Sequence, residues 1–275
     1  MIKFNSCENT KHSAINTATT HTHDRYKTFE MKKTTLIILA IFLISNVHSQ
    51  PRNEPLIEKV LSNLGIEKKD CFNHLLQTKI IPYSENETIV VIPKISEIDN
   101  EIGYVILDEY LLIVNSLSGE IKSKYIKERE WTSDAIMLRN IKIDTAPYWV
   151  NENIRAFGIR VNYEGSSNAN PYGSEVLSLF YKKNDEIINV LNNFLVENSN
   201  GEWDTNCNGY FENHKKILIM SKNKSNNFFD IIINDNITKT TREEVDGDCK
   251  VINIEKGKET TLLKYIDGKY KKNVL

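Results

Sequence analysis

From Thr88 to near the C-terminus, short runs of β-branched and aromatic residues alternate with polar turn dipeptides, and no helical repeat lies between them. Parallel strands are usually joined through a crossover helix, so a chain patterned this way excludes βαβ crossover units and favours an antiparallel meander. Ile89–Ile92 is a β-branched run that Pro93 is expected to end, and Tyr104–Val114 is a second strand before the turn Ser118-Gly119. Arg155–Tyr163 alternates most clearly. Phe157, Ile159, Val161 and Tyr163 share one face, while Gly158, Arg160 and Asn162 share the other, the mark of a half-buried strand.

Further runs at Met137–Ile143, Val176–Tyr181, Ile187–Leu195, Ile217–Met220, Phe228–Ile233 and Thr261–Ile266 are punctuated by Asn184-Asp185, Asn200-Gly201, Asp246-Gly247 and Asp267-Gly268. Such dipeptides accept positive φ and favour hairpin turns. Roughly ten strands result, too few for a closed propeller, whose smallest form needs about sixteen. The expected fold is mainly β, an antiparallel meander forming a β-sandwich or a partial propeller-like stack. One short amphipathic helix precedes it, because Leu56, Ile57, Val60, Leu61 and Leu64 form a single stripe. Asn53 is placed to cap its start, Pro55 fits its first turn, and Gly65 can take the left-handed position at its end.

Upstream, Met31-Lys32-Lys33 leads into the apolar run Leu36–Ile44 and then Ser49. A basic start, a short apolar stretch and a small residue at the end describe a secretory signal peptide over residues 31–49, too short to span the ~20 residues of a bilayer core. Cleavage after Ser49 is expected, leaving no stable membrane span. Residues 1–30 precede this complete signal and read as a non-native upstream extension. The mature chain then divides into an N-terminal helical segment, 50–85, and an antiparallel β domain, 86–275. Its location would be periplasmic or extracellular.

The whole chain carries a net charge of -2. With no clustered positive charge to neutralise phosphates, nucleic acid is not an expected partner. An exported chain keeps its disulfides, and Cys207 and Cys249, each in an acidic turn, are the preferred pair, with Cys71 left as a buried small hydrophobe. For hydrolytic chemistry the mature chain offers only His74 and His214, without a G-x-S-x-G, H-E-x-x-H or C-x-x-C pattern. Glu202 and Asp204 stand too close along a strand to bracket a glycosidic bond.

The most specific local pattern is Asp204-Thr205-Asn206-Cys207-Asn208-Gly209-Tyr210-Phe211-Glu212, which reads D-x-N-x-N-G-x-x-E. Alternating oxygen ligands can wrap calcium, here the side chains of Asp204, Asn206, Asn208 and Glu212 with the carbonyl of Tyr210, and Asp246 and Asp248 add ligands if their turn folds against the loop. The twelfth position is Lys215, so this is no EF-hand. The competing reading is a tight turn whose Asx side chains stand in for backbone partners. The polar loop Gly165–Ser174, together with Trp131, Trp149 and Trp203, is a candidate surface for sugar or peptide, although Trp in a β domain is more often core.

The phrases Trp131-Thr132-Ser133-Asp134-Ala135, Ile143-Asp144-Thr145-Ala146-Pro147-Tyr148, Arg155-Ala156-Phe157-Gly158-Ile159-Arg160 and Gly201-Glu202-Trp203-Asp204-Thr205-Asn206-Cys207 are similar to those of a group of uncharacterised exported bacterial proteins. That resemblance implies a single extended β domain outside the cytoplasm and carries no activity with it. The 204–212 loop also resembles the calcium loops of integrin-type propellers, with fewer acidic positions. Together these features lead to the expectation of a non-enzymatic, exported module that binds a protein or glycan of the cell envelope. The alternatives are a hydrolase acting on an envelope polymer and a calcium-dependent adhesion or scaffold module.

Overall fold

A computed structural model describes residues 52–272; the signal segment 31–49 and the extension 1–30 lie outside the described residues. Helix α1 (Glu54–Leu64) forms where the stripe predicts. The Asn53 side chain accepts the Leu56 N–H at 3.1 Å, Pro55 sits in the first turn, and Gly65 ends the helix at φ 66°. Two 3-10 turns, Lys68–Asp70 and Asn73–Leu75, lead into the first strand, β1 (Gln77–Ile81), which falls inside the segment expected to be helical.

Twelve strands follow in a meander. The first group is β1, β2 (Ser84–Asp99), β3 (Tyr104–Asn115) and β4 (Ile121–Ser133); the second is β5 (Ile136–Trp149), β6 (Arg155–Gly165), β7 (Tyr172–Lys183) and β8 (Glu186–Trp203). The third is β9 (Gly209–Ser225), β10 (Phe228–Val245), β11 (Asp248–Ile266) and β12 (Lys269–Lys272). Pairing within each group is antiparallel between sequence neighbours. A single parallel contact, Lys124 with Glu186, joins β4 to β8, and the far half of β8 pairs with β9, so hydrogen bonds link all twelve strands.

The groups fold back on each other as layers. Leu56, Ile57, Val60 and Leu61 of α1 pack with Val90, Ile92, Leu112 and Val114 on the outer face of the first group. Ile89, Val91, Leu111 and Ile113 point the other way, against Phe157, Ile159, Val161 and Phe180 of the second group. Leu177, Leu179, Val190 and Leu191 leave the second group's opposite face to meet Ile231, Ile233, Leu263 and Tyr270 of the third. The architecture is therefore one continuous twelve-stranded sheet folded into three stacked layers, with the helix against the first layer and an apolar seam at each interface. Burial on both faces is why Ile89–Ile92 is continuously apolar rather than alternating.

Two turn signals act differently from expectation. Pro93 does not end its strand, and β2 runs on to Asp99. The Pro93 carbonyl accepts the Phe72 N–H at 2.8 Å on the side where β1 has not yet begun, so the missing proline donor on that side interrupts no β1–β2 ladder. Asn200-Gly201 is not a turn either, since Gly201 pairs with Phe211 inside the β8–β9 ladder. A Cβ there would stand 2.5 Å from the Phe211 ring, so glycine is required by close approach and not by φ. The hairpins at Asn184, Asp246-Gly247 and Asp267-Gly268 do carry positive φ, as does Asn226-Asn227, which joins β9 to β10.

Candidate functional site

Beyond the stacked seams, the end of β8 and the facing stretches of β9, β10 and β11 continue as a ribbon, in line with the starts of β5 and β7 and the end of β6. Register places one set of side chains on its concave face. Glu175 opposes Glu197, which opposes Lys215; Gly173 opposes Ser199, then Asn213, then Thr238; Gly201 opposes Phe211, then Thr240. Two glycines in the floor let neighbouring side chains lie low, for a Cβ on Gly173 would stand 2.9 Å from Ser199 Oγ.

The result is a trough made of adjoining cavities. One of about 640 Å³ is lined by Asn162, Tyr172, Ser174, Glu197, Asn213 and Lys215. It shares Ser199 and Asn213 with a cavity of about 340 Å³ at Phe211, Thr240 and Arg242. Tyr172 and Phe211 carry it on to about 620 Å³ beside Trp203 and Asn168, and Glu197 and Lys215 border about 450 Å³ at Tyr148, Ile217 and Met220. From Met220 to Phe211 along β9, a strand rise of about 3.3 Å per residue makes the trough roughly 30 Å long.

One wall is the expected loop, ordered by the strand it covers. Trp203 donates its indole N–H to the Asn168 carbonyl, the Trp203 backbone N–H bonds Ala169 at 3.0 Å, and Gly201 N–H bonds Pro171 at 3.0 Å. Trp203 packs 6.1 Å from Phe211 between ring centroids, and the Arg242 guanidinium lies 5.6 Å over the Phe211 ring. Of the three tryptophans named from sequence, Trp131 is core, Trp203 lines the trough, and Trp149 is 44% exposed at another edge.

At the other end, Arg160 is gripped by Asp144 (2.7 Å), Glu175 (2.5 Å) and the Tyr148 hydroxyl (3.1 Å), while Asn162 donates to Glu175 at 3.0 Å. Burial works to raise the Asp144 pKa, but the Ala146 N–H, Arg160 and Tyr148 outweigh it and hold the carboxyl below the usual range. Burial, then the Asp144 carboxylate, pushes Tyr148 up to about 12. Glu175 and Glu197 oppose each other in register, yet each already has a cation, Arg160 for one and Lys215 at 2.9 Å for the other.

The 204–212 pattern resolves into separate roles. Asp204 Oδ1 accepts the N–H groups of Asn206 (2.9 Å), Cys207 (2.8 Å) and Asn208 (3.1 Å), and Oδ2 accepts the Asn208 amide at 2.7 Å. These bonds, that of Cys207 first, hold its carboxyl below the usual range. Asn208 Oδ1 in turn accepts the Glu244 N–H, and Tyr210 already lies in the ladder between Glu202 and Thr241. Glu212 faces away from the turn's donors, bonding His214 Nε2 (3.2 Å), Lys239 (3.3 Å) and the Tyr210 hydroxyl (3.3 Å). The geometry is that of the Asx-capped turn, not of one shared oxygen shell. Asp246 pairs with Lys250.

Cys207 and Cys249 form a disulfide with a Cα–Cα distance of 5.4 Å, tying the β8–β9 loop to the start of β11 across the end of β10. Cys71 is free and buried against α1, with burial, then Asp70, pushing its thiol up to about 11. His74 packs on Phe72, and His214 lies on the ribbon's other face between Glu212 and Asp235. Sequence reading missed Phe211, Asn213 and Arg242, whose only signal is polar alternation along β9 and β10. Compared with known proteins, the chain matches no family model, no curated protein and no solved structure.

Proposed function

We propose that this chain is a non-enzymatic, exported binding module that holds an extended, uncharged glycan of the cell envelope in the trough. The observation that carries this reading is the composition of the trough surface. Its floor presents amides and hydroxyls from Asn162, Ser199, Asn213 and Thr240, and Tyr172, Trp203 and Phe211 stand along the wall. Sugar rings offer apolar faces to aromatic side chains and hydroxyls to amides, and a concave surface with a few placed polar groups suits that pairing. The carboxylates Glu175 and Glu197 beside the floor are matched by Arg160 and Lys215, and Arg242 lies over the Phe211 ring, so the floor holds no unmatched carboxylate to repel or bind a charged ligand. Export is supported by the disulfide and by the signal-like segment before residue 50.

The test is titration calorimetry of the mature protein against purified neutral and anionic envelope polysaccharides. A neutral polymer is expected to bind, and Phe211→Ala and Trp203→Ala to weaken it about tenfold each, the equivalent of ~1.4 kcal/mol. No new reducing ends should appear on long incubation. Failure of every neutral glycan to bind, or binding indifferent to both variants, overturns the reading.

A further inference from the structure

A second concavity lies far from the trough in the connectivity, at the rim of the seam between the first and second strand layers. Its floor is the exposed end of that seam, where Ile113 and Phe157, each 1% accessible as residues, still border a cavity of about 260 Å³. Two hairpins make its walls. The β1–β2 turn supplies Tyr83, 47% exposed, and the β5–β6 hairpin supplies Trp149, 44% exposed and cross-strand from Arg155. Large aromatic side chains left this open above an apolar floor are the ordinary makings of a small-molecule pocket.

The charge of the pocket is unbalanced. Arg155 stacks 4.3 Å above the Tyr83 ring and donates one Nη to the Thr145 carbonyl at 2.7 Å, but its buried Nε has no acceptor. Among the described residues, no carboxylate pairs with it. The single acid at the rim, Glu87, is taken by Lys182 and by the Ser84 hydroxyl. By contrast Arg52, Arg129, Arg139 and Arg160 each have a carboxylate partner. A partly buried guanidinium without a counter-charge is costly, and a planar fork of donors is best matched by a carboxylate.

We infer that this pocket binds a small aromatic carboxylate, its ring against Trp149 and the Ile113–Phe157 floor and its acid on the Arg155 guanidinium. The size is right for one ring with a short acid arm. The site is independent of the trough, with which it shares no lining residue.

The experiment uses phenylacetate and phenylacetamide, which have the same shape and differ in charge, with ligand-observed NMR on the full mature chain. Phenylacetate is expected to bind in the millimolar range and the amide at least tenfold more weakly. Arg155→Met should bring the acid down to the level of the amide, and Trp149→Ala, at an exposed position, should weaken both severalfold. Phe211→Ala in the trough should change neither. Equal affinity for acid and amide, no binding of either, or binding untouched by Trp149→Ala overturns the inference, and these outcomes stand even if Arg155→Met fails to fold.

Discussion

The stacked body and the ribbon that extends from it are built from the same kind of strand but held in different ways. In the body, β2 and β3 bury residues on both faces, and Ile89, Val90, Val91 and Ile92 are all inaccessible. In the ribbon, β11 is exposed at every position from Asp248 to Thr260, and Val251, Ile252 and Ile254 lie open beside Lys250, Glu255, Lys256, Lys258 and Glu259. The body is held by apolar area removed from water. The ribbon relies on strand pairing, cross-strand charge such as Lys239 with Glu212, and the Cys207–Cys249 bridge near its tip. Charged residues along the open edge of β11 also discourage pairing with another strand.

The contrast is broken most directly by a core truncation. Phe157→Ala, inside the seam between the first two layers, should cost ~3–5 kcal/mol in urea unfolding, whereas Ile252→Ala on the ribbon should stay within about 0.5 kcal/mol. Comparable losses at both positions would mean that the ribbon is as packed as the body.

Removing the bridge comes next. Cys249→Ser opens a loop of sequence separation 42 and should cost about 3–4 kcal/mol in the chain-entropy model. Hydrogen exchange should locate the loss in 197–260 and leave α1 and the first layer protected. Exchange that accelerates everywhere would show one cooperative unit instead of two regions of unequal stability.

The body also contains a carboxylate that the ribbon would tolerate in water. Burial, then the nearby Glu130 carboxylate, pushes Glu109 up to about 8. The folded chain therefore holds a proton that the unfolded chain has released, and stability falls as pH rises from about 4.5 to about 8, at up to ~1.4 kcal/mol per pH unit. Urea unfolding at pH 5 and pH 8.5 should show this decline in the wild type and a flatter profile in Glu109→Gln. A wild-type profile that rises across that window would refute it.

The smallest effect belongs to the tip. Asp204→Ala removes the acceptor of the 204–208 turn and should lower the melting temperature by a few degrees, about what loss of an Asx cap brings. Because the folded carboxyl titrates below its ordinary value of about 3.9, that difference is present at neutral pH and vanishes on acidification. Millimolar calcium should leave the wild-type melting curve in place, since both Asp204 oxygens already serve the turn. A calcium-dependent rise lost in Asp204→Ala would restore the calcium-loop reading.

Local periodicity and turn chemistry were sufficient to read α1 from Leu56 to Leu64 with its Asn53 and Gly65 ends, the two faces of Arg155–Tyr163, and the antiparallel meander. Each depends on neighbours within a few residues, where a side chain's direction follows from its position alone. The Cys207–Cys249 pair was legible because two cysteines sit in turns that a meander brings to the same end. Pro93 and Gly201 misled because their meaning depends on the strand beside them. Proline is harmless where β1 has not yet begun, and glycine is required where the Phe211 ring lies across it.

What the sequence by itself determined is the class of fold and the local capped turns, because hydrophobic period and positive-φ residues act at short range. Only the tertiary structure decided that the strands fold into three stacked layers, that Asp204 and Glu212 serve different partners, and that Ser199, Asn213 and Thr240 line one trough. It also decided that Arg155 meets Tyr83, 72 positions away, and no carboxylate. Register and layer order depend on which apolar faces find each other, and a shift of one residue would turn every one of those side chains to the opposite face.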